Sequence, residues 1–468
     1  MPQNELRSLL TRVGAAHAAA PGRLEGAGAA VELSALMRRS ALSAEAGRLV
    51  ERRCVLLLTQ DPLAAALALI ELDGRAARVV LVPPGVPDDH LCRIAATAQA
   101  QAIAGDAQQI PAALAHLAVA RIDPARLAQA RETGPGAREP TEWVLLTSGT
   151  SGVPKLVVHT LQTLCGAIVA AGALAGPKVW GTFYDLRRYG GLQILLRALV
   201  GGGSLVLTHP QEGIDAFVGR VVGAGVTHLT GTPSHWRRAL MNPALLGLRP
   251  QYARMSGEIA DQGIIDRLRA AFAGARVAHA YASTEAGVGF EVDDGLEGFP
   301  AQWVGAERDG VVLEVAADTL RIRSGRTGLR YLGEDAGALH DERGFVDTGD
   351  VVELRGGRYH FAGRRGGIIN VGGLKVHPEE IEAVINRHPR VRMSVVRARK
   401  SPITGAVVVA DVVPTDAEGA GPAAQTGLEQ EILDLCRAGL AGYKVPAVIR
   451  LVPRIDVTDS GKITRVDG

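Results

Sequence analysis

A loop at residues 147–155 constrains the fold of this chain more than any other stretch. It reads Thr-Ser-Gly-Thr-Ser-Gly-Val-Pro-Lys and lies between two short apolar runs of strand type. Glycines allow a tight turn that directs backbone N–H groups inward, hydroxyls add donors, and a lysine adds positive charge. This composition favours binding of a polyphosphate, although a Gly/Ser hairpin turn without a ligand is also rich in these residues. The candidate phosphate-binding residues are Thr147, Ser148, Gly149, Thr150, Ser151, Gly152 and Lys155.

The order of apolar runs predicts an α/β architecture. Residues 54–58 have the pattern of a buried strand, Asp61 and Pro62 begin a helical run, and residues 79–82 return to strand pattern. This rhythm is typical of a layer with parallel strands, and a second such layer spans residues 179–272. From Gly305 onward, short β segments separated by glycines indicate an antiparallel sheet or barrel, and a small α+β unit follows residues 364–367.

The composition excludes several classes of protein. The chain has 51 basic and 49 acidic residues, a net charge of +2, which argues against a nucleic-acid partner. Its four cysteines are far apart, so neither a zinc site nor a disulfide framework is indicated. No signal-peptide pattern occurs, and the apolar runs are shorter than the roughly 18 residues of a membrane span. We therefore expect a cytoplasmic protein without a membrane span.

Further motifs follow the loop along the chain. Residues 281–285 read Tyr-Ala-Ser-Thr-Glu, and residues 345–350 read Phe-Val-Asp-Thr-Gly-Asp. Residues 363–382 begin with Gly-Arg and include Gly-Gly-Leu-Lys-Val-His-Pro-Glu-Glu-Ile-Glu. Near the C-terminus are Tyr-Lys-Val-Pro at 443–446 and Asp-Ser-Gly-Lys at 459–462. Each of these motifs alone is also compatible with an ordinary turn. Their order along the chain is more specific than any single motif.

In this order the motifs resemble those of the adenylate-forming superfamily, which includes acyl-CoA synthetases, peptide-synthetase adenylation domains and firefly luciferase. The stretch at 363–382 is more similar to AMP-forming acyl-CoA synthetases, which are acid–thiol ligases, than to peptide-synthetase domains. The resemblance implies an α/β fold. A large N-terminal domain of two α/β layers plus a distorted β-barrel would span residues 1–365. A small mobile α+β C-terminal domain would span residues 366–468.

The resemblance also implies roles for the motif residues. Tyr281 would stack on adenine, Thr284 would contact the phosphates, and Glu285 would hold Mg²⁺, a hard ion that prefers oxygen ligands. Asp350 would bind both ribose hydroxyls, and Arg364 would contact ribose or phosphate. The implied catalytic residues are Lys462, Thr284 and Glu285. Further contacts to the nucleotide or to CoA would come from Ser256, Gly257, Glu258, Ala282, Ser283, Gly372, Gly373 and Lys375.

Three positions have particular consequences if the resemblance holds. Lys462 would reach into the site and stabilise the charge that develops during adenylation. Gly366 stands at the hinge position, where the family usually has Asp or Lys, and glycine still permits the rotation. Ala282 stands where the family usually has glycine, so its methyl group affects the shape of the substrate pocket.

The substrate end carries a weaker signal than the nucleotide end. Arg187 and Arg188 could bind an acidic substrate, although such a pair as often faces water. Asp185 could bind a substrate amine, although an Asp-Leu-Arg sequence more often forms an internal salt bridge. The aromatic residues nearby favour a compact acid. The candidate pocket residues are Asp185, Arg188, Tyr189, Gly190, His235 and Trp236.

The sequence thus predicts a two-step ligase. ATP·Mg²⁺ and a carboxylic acid would give acyl-AMP and pyrophosphate, and CoA would then take the acyl group. One alternative is an adenylation enzyme that loads the phosphopantetheine arm of a carrier protein or couples an amine. A second alternative is a binding module that keeps the fold without catalysis. A homodimer is compatible with the sequence.

Overall fold

The computed structural model describes residues 8–18, 22–105, 110–124, 127, 129–130, 140–147, 154–168, 178–333, 336–371, 374–401, 405–415 and 422–455. The helices are α1 (Leu9–Ala16), α2 (Ala44–Val50), α3 (Pro62–Leu72), α4 (Asp88–Ala98), α5 (Leu161–Cys165), α6 (Tyr189–Gly201), α7 (Ile214–Gly223), α8 (Pro233–Ala239), α9 (Gln262–Ala271), α10 (Pro378–Ile385) and α11 (Pro422–Gly439). The first strands are β1 (Arg23–Glu25), β2 (Ala30–Glu32), β3 (Arg39–Ser40), β4 (Cys54–Leu58), β5 (Arg78–Leu81), β6 (Ala102–Gly105), β7 (Ala118–Ala120), β8 (Gln129–Ala130), β9 (Glu142–Leu146), β10 (Leu156–His159), β11 (Lys178–Thr182), β12 (Gly203–Leu207), β13 (His228–Gly231) and β14 (Tyr252–Ser256). The later strands are β15 (Arg276–Ser283), β16 (Gly287–Val292), β17 (Phe299–Pro300), β18 (Glu307–Arg308), β19 (Val311–Ala316), β20 (Thr319–Ser324), β21 (Arg330–Leu332), β22 (Val346–Arg355), β23 (Arg358–Arg364), β24 (Ile369–Val371), β25 (Leu374–Val376), β26 (Val391–Ser401), β27 (Gly405–Pro414) and β28 (Val448–Leu451).

Two sheets form the predicted α/β layers. The seven-stranded sheet has the order β21-β10-β9-β5-β4-β6-β7, and the eight-stranded sheet has the order β16-β15-β14-β13-β11-β12-β1-β2. Every residue of α3 is buried, and its side chains belong to a hydrophobic core that includes residues of both sheets. Asp61 caps this helix as the sequence predicts, because its Oδ1 accepts a hydrogen bond from the Leu63 amide at 2.8 Å.

The predicted β-rich region forms a third, antiparallel sheet with the order β17-β23-β22-β20-β19-β18. Its apolar face has its own core, which includes Phe299, Leu320 and Ile322. The sheet therefore has the position in the chain that the sequence assigns to the distorted barrel. Within the described ranges, the helices do not combine the length and apolar character that a bilayer crossing requires.

The C-terminal residues form a small α+β unit around a separate core. The hairpin β24–β25, the three-stranded sheet β26–β27–β28 and helices α10 and α11 surround Val396, Ile432 and other apolar residues. This unit contacts the rest of the protein through polar groups. Arg387 Nη2 lies 3.6 Å from Glu297 Oε1, and Arg267 Nη2 donates to the Val391 carbonyl at 3.1 Å. The overall α/β class with a small C-terminal domain is confirmed.

One backbone position fixes how α10 meets β23. Gly363 has a φ of +145°, a region that side chains other than glycine rarely adopt. A Cβ atom added there would lie 2.5 Å from Glu379 Oε2 and 3.1 Å from His377 Nδ1. The start of α10 can therefore approach β23 only because residue 363 has no side chain.

We expect Gly363→Ala to lower the free energy of unfolding by about 1–3 kcal/mol, since it combines backbone strain with a steric clash. Urea unfolding would measure this loss, and limited proteolysis would show whether the C-terminal unit becomes easier to cleave. Gly367→Ala is the matched control, because an added Cβ there meets no atom within 4 Å. Equal stability of the two variants would contradict this account.

Candidate active site

The candidate site lies where parallel strands of the eight-stranded sheet end. The carboxyl ends of β11, β13, β14 and β15 lie at one edge of this sheet, because these strands are parallel neighbours. Asp185, His235, Ser256 and Thr284 lie at or just after those ends. Open α/β sheets bind ligands in the crevice at this edge.

Asp350 is the centre of the predicted ribose site. The Tyr281 hydroxyl donates to Asp350 Oδ2 at 2.5 Å, and Arg364 Nε donates to Asp350 Oδ1 at 3.0 Å. Asp350 and Arg364 are cross-strand partners in β22 and β23, so the sheet register itself brings them together. The structure therefore joins three residues that lie up to 83 positions apart in the sequence.

A tight turn aims the Asp350 carboxylate at this site. The Gly349 amide donates to Asp347 Oδ1 at 2.9 Å, and Gly349 has a φ of +69°. The Thr348 hydroxyl donates to the Leu320 carbonyl at 2.7 Å and accepts from the Asp350 amide at 3.1 Å. Each residue of the Thr-Gly-Asp sequence thus has a separate task in holding the carboxylate.

The Tyr281 ring lies among other aromatic rings. It stacks with Phe361 at a centroid distance of 5.3 Å and with Phe290 at 5.6 Å. Burial and the negative charge of Asp350 raise the pKa of Tyr281 well above its usual range, so the phenol remains a donor at neutral pH. A β-bulge between Tyr281 and Ala282 turns this end of β15, which is a common feature beside binding sites.

The described ends of the phosphate loop are close together. The Thr147 amide donates to the Lys155 carbonyl at 3.0 Å, and β9 pairs with β10 in antiparallel fashion. The Lys155 ammonium lies 4.6 Å from the centre of the Tyr331 ring. Burial and the charge of Glu285 raise the pKa of Tyr331 to about 12. The loop residues Ser148, Gly149, Thr150, Ser151 and Gly152 lie outside the described residues.

A magnesium ion at this place would need ligands from outside the protein as well. Across the part of the chain that the structure describes, no group of three His, Cys, Asp or Glu side chains could hold a metal ion. A single carboxylate such as Glu285 therefore fits Mg²⁺ only together with phosphate oxygens and water, which is the usual composition of nucleotide-bound Mg²⁺.

His159 is a residue of the site region that the sequence reasoning did not identify. It ends β10, is fully buried, and its Nε2 lies 2.7 Å from the Thr284 carbonyl. Its Nδ1 lies 2.9 Å from the Thr163 hydroxyl. Burial lowers the pKa of His159 to about 4, so the ring is neutral near pH 7. The sequence signal that could have identified His159 is its position at the end of the apolar strand that follows the predicted phosphate loop.

The Ser256-Gly257-Glu258 segment is held by its neighbours. The Tyr184 hydroxyl donates to the Ser256 carbonyl at 2.9 Å and accepts from the Ser256 amide at 3.1 Å. Glu258 Oε2 accepts from the Ser234 amide at 2.9 Å, next to the start of α8. Tyr184 was also absent from the predicted site residues, because its contacts with Ser256 arise only in the folded structure.

The predicted substrate residues do not all share one environment. Asp185, Arg188 and His235 line one cavity of about 250 Å³, which Arg238 and His209 also line. The Asp185 carboxylate forms an ion pair with the fully buried Arg187, which is the internal salt bridge that the sequence left open.

Two aromatic residues assigned to the substrate pocket are instead buried. Trp236 has no exposed surface, donates from Nε1 to the Arg254 carbonyl at 3.0 Å, and belongs to the core under α8. This placement corrects the expectation that Trp236 offers aromatic surface to a ligand. Tyr189 is only 5% exposed, whereas Gly190 lies beside the Tyr184 ring.

The remaining predicted residues are Ser283 on β15 and several residues of the C-terminal part. Gly366 is exposed in the turn Arg365–Gly367 between β23 and β24, and Lys375 is exposed on β25. Ser283 accepts from the Ala286 amide at 2.9 Å in the turn after β15. Gly372, Gly373 and Lys462 lie outside the described residues.

Comparison with known proteins defines the class to which this site belongs. Residues 50–320 match the family described as AMP-binding enzyme, and residues 380–462 match the AMP-binding enzyme C-terminal domain. The first match alone covers more than half of the chain. The chain therefore belongs to the AMP-binding enzyme family.

The individual relatives are named for different activities, and one solved structure shows the same fold. The chain is 31% identical to a 2-succinylbenzoate–CoA ligase of Salmonella typhimurium over 54% of its own length and 53% of that protein. It is 27% identical to phenyloxazoline synthase MbtB of Mycobacterium tuberculosis over 87% of its length and 30% of that protein. The chain thus spans about half the length, or less, of these curated relatives. The structure of o-succinylbenzoate CoA synthetase from Bacillus subtilis, in complex with an acyl-adenylate, has a TM-score of 0.76 at 18% identity, covering 97% of this chain and 96% of that one.

The depressed pKa of His159 predicts a pH dependence of stability. Below its ordinary pKa of 6.5 the unfolded chain binds a proton that folded His159 binds only near pH 4. Stability is therefore lost as pH falls from about 6.5 towards 4. We expect the wild type to lose about 2 kcal/mol more than His159→Gln between pH 8 and pH 5, as measured by urea unfolding. The exposed His116 provides the control variant His116→Gln, and identical pH slopes for all three proteins would refute the prediction.

Proposed function

We propose that this protein is an AMP-forming acid–CoA ligase that uses ATP·Mg²⁺ to activate a carboxylic acid. The observation that carries the proposal is the hydrogen-bonded set of Tyr281, Asp350 and Arg364, in a chain where Glu285 follows Tyr281 by four residues and Lys155 lies against the Tyr331 ring. That arrangement combines an acceptor pair suited to ribose with a lysine and a carboxylate suited to phosphates and Mg²⁺. A binding module without catalysis has no need for both ends of this site.

The nucleoside end of the site supports specific binding of ATP. Asp350 retains lone pairs on both oxygens beyond those that Tyr281 and Arg364 occupy, so it can accept hydrogen bonds from two ribose hydroxyls. The aromatic rings of Tyr281 and Phe361 provide a surface for adenine. The neighbouring Arg364 forms an ion pair with Asp350 and would supply a positive charge near the phosphates.

The phosphate end would stabilise the charge that moves during adenylation. The acid's carboxylate oxygen attacks the α-phosphorus, the bond to the bridging oxygen breaks, and pyrophosphate leaves. Lys155 and the hydroxyl-rich loop would hold the leaving pyrophosphate, and Thr284 and Glu285 would hold the phosphates and Mg²⁺. Lys462 would neutralise the reacting oxygens in this step. Bound Mg²⁺ would supply further positive charge at the phosphates.

The second half-reaction requires a thiol to reach the acyl-adenylate. The C-terminal domain, residues 366–468, would turn about Gly366, so that Gly372, Gly373 and Lys375 border the path of the pantetheine arm. Gly366 is exposed and its turn is short, which suits a pivot. The thiolate attacks the acyl carbon, the bond to the AMP oxygen breaks, and AMP leaves.

The charge of one cavity favours CoA over a carrier protein as the acceptor. Arg188 and Arg238 line the cavity of about 250 Å³, while two of its acidic residues, Asp185 and Glu212, are paired with Arg187 and Arg220. Four arginines therefore surround two carboxylates at this cavity, a balance that suits the phosphates of CoA. A carrier protein remains the second candidate acceptor, since one relative is phenyloxazoline synthase MbtB.

An acid panel in a pyrophosphate-release assay tests this function, with thioester formation from CoA measured in parallel by mass spectrometry. Acyl-CoA as a product supports the proposal. Pyrophosphate release that yields acyl transfer only to a carrier protein or an amine would replace CoA with that acceptor. If no acid gives pyrophosphate while the protein still binds ATP, the protein is a binding module without catalytic activity.

We expect Asp350→Ala to raise the KM for ATP by about 100-fold or more, because it removes two hydrogen bonds to a charged group that each contribute about 1.5–3 kcal/mol. Steady-state kinetics with saturating acid would measure the change, and circular dichroism would verify the fold. Tyr281→Phe is the companion variant, since it removes the hydroxyl contact to Asp350 but keeps the ring, and its effect should be smaller. An unchanged KM for ATP in Asp350→Ala would contradict the ribose assignment.

A further inference from the structure

Helix α6 and strand β14 both carry polar side chains at largely buried positions where apolar ones would be usual. On α6 the polar residues recur every fourth position, which places them on one face of the helix. On β14 they recur every second position, which places them on one face of the strand. We call this set the polar seam, and its residues are Tyr189, Gln193, Arg197, Tyr252, Arg254 and Ser256.

The polar seam is buried and lies against the candidate site. Gln193 is 1% exposed and Arg254 is 5% exposed. The positive charges of Arg197 and Arg254 both act to lower the pKa of Tyr189 and of Tyr252, although burial raises the pKa of each tyrosine overall. The four side chains therefore interact electrostatically. The seam ends at Ser256, the last residue of β14, whose carbonyl accepts a hydrogen bond from the Tyr184 hydroxyl.

Ala282 connects the seam to the reacting end of the site. Its side chain packs against the hydrophobic cluster that contains Tyr189 and Val288. It also follows Tyr281, whose hydroxyl binds Asp350. A ligand that starts at the strand ends and extends downward between α6 and β14 would therefore pass Ala282 and Ser256 before it reaches Arg254.

Positive charge in the seam exceeds the negative charge that faces it. Glu291 is the carboxylate beside these arginines, and Arg254 Nε lies 3.4 Å from its Oε2. The same carboxylate also accepts from the Tyr252 hydroxyl at 2.5 Å and from Arg276 Nη2 at 2.6 Å. In the described ranges Arg197 forms no ion pair, and burial with the nearby Arg254 charge lowers its pKa.

Three buried polar atoms of the seam lack hydrogen bonds. Within the described part of the chain, Arg197 Nε, Arg254 Nε and Gln193 Oε1 have no hydrogen-bond partner. Buried donors without partners are costly, and an unbalanced buried charge costs more. Two guanidinium donors and a surplus positive charge together match an anionic ligand group.

We propose that the polar seam binds a second anionic group of the substrate, so that the acid is a compact one carrying a carboxylate or phosphonate-like group besides the carboxylate that is activated. This inference rests on the proposed function and specifies its substrate class. Arg254 and Arg197 form charge-assisted hydrogen bonds to the distal group, and Gln193 lies on the same face of α6. The activated carboxylate remains at the strand ends beside Ser256 and Ala282.

The geometry limits the length of the substrate. Arg254 is two residues before Ser256 on β14, which corresponds to a rise of roughly 7 Å. A six-carbon dicarboxylate or a benzene dicarboxylate spans a similar distance between its two carboxylates. A long alkyl chain would leave the donors of the two guanidinium groups without partners, which is costly for buried groups.

Matched pairs of acids test the proposal in the pyrophosphate-release assay: hexanoate with adipate, benzoate with isophthalate, and butanoate with 4-phosphonobutanoate. We expect the doubly anionic member of at least one pair to have the higher kcat/KM by about 10-fold or more. Preference in the carboxylate pairs or in the phosphonate pair identifies which anion is bound. If the singly charged acids react equally well or better, the proposal is wrong while the proposed function stands. If no acid releases pyrophosphate, both fail.

Variants of the seam separate recognition from a purely structural role. We expect Arg197→Met to raise the KM for the preferred doubly anionic acid by about 10-fold to 100-fold and to leave its singly charged partner within about twofold. Arg197→Lys keeps the charge and should recover part of the loss. Arg78→Met is the control, because that arginine is also mostly buried but is paired with Glu142 and does not line the cavity proposed for CoA. Equal loss for both acids in Arg197→Met and Arg197→Lys would overturn the proposal.

Discussion

The hydrogen bond from Tyr281 to Asp350 is the interaction on which the candidate site depends. Tyr281 lies near the carboxyl end of a strand of the eight-stranded sheet, and Asp350 belongs to the antiparallel sheet, so the bond joins two separate layers. Arg364, two residues before Gly366, binds the other oxygen of the same carboxylate. The nucleotide site and the junction with the C-terminal domain therefore share one carboxylate.

His159 provides a second connection between distant parts of the site. It ends the strand that follows the phosphate loop, and it holds the carbonyl of Thr284 immediately before Glu285. Because the ring is buried and neutral, this contact fixes the two phosphate-directed segments relative to each other without adding charge. In the proposed function, the charged groups at the phosphate end would be Lys155 and Glu285, and the charge of bound ATP·Mg²⁺ would balance them.

The sequence could predict the α/β class, the β-rich region and the C-terminal unit because those follow from local patterns of apolar residues. The Asp61 cap of α3 and the Thr348-Gly349-Asp350 turn are equally local, and both have their predicted places. His159, Tyr184 and the polar seam could not be predicted because their roles arise from contacts between remote segments. Trp236 was assigned to the substrate pocket from its place in the sequence, but its side chain is buried in the core. Sequence spacing assigns a residue to a helix, but packing decides which way its side chain faces.

The strand order also determines how the chain can reach this structure. Strand β21, near residue 330, completes the sheet begun by β4 near residue 54, and β1 near residue 23 pairs with β12 near residue 205. Neither α/β layer is complete until a distant segment has joined it. During synthesis on the ribosome, the first sheet therefore keeps an open edge beside β10 until more than 300 residues have emerged. Pairing across such separations is slow, so this edge is the place where we expect chaperone protection to matter most.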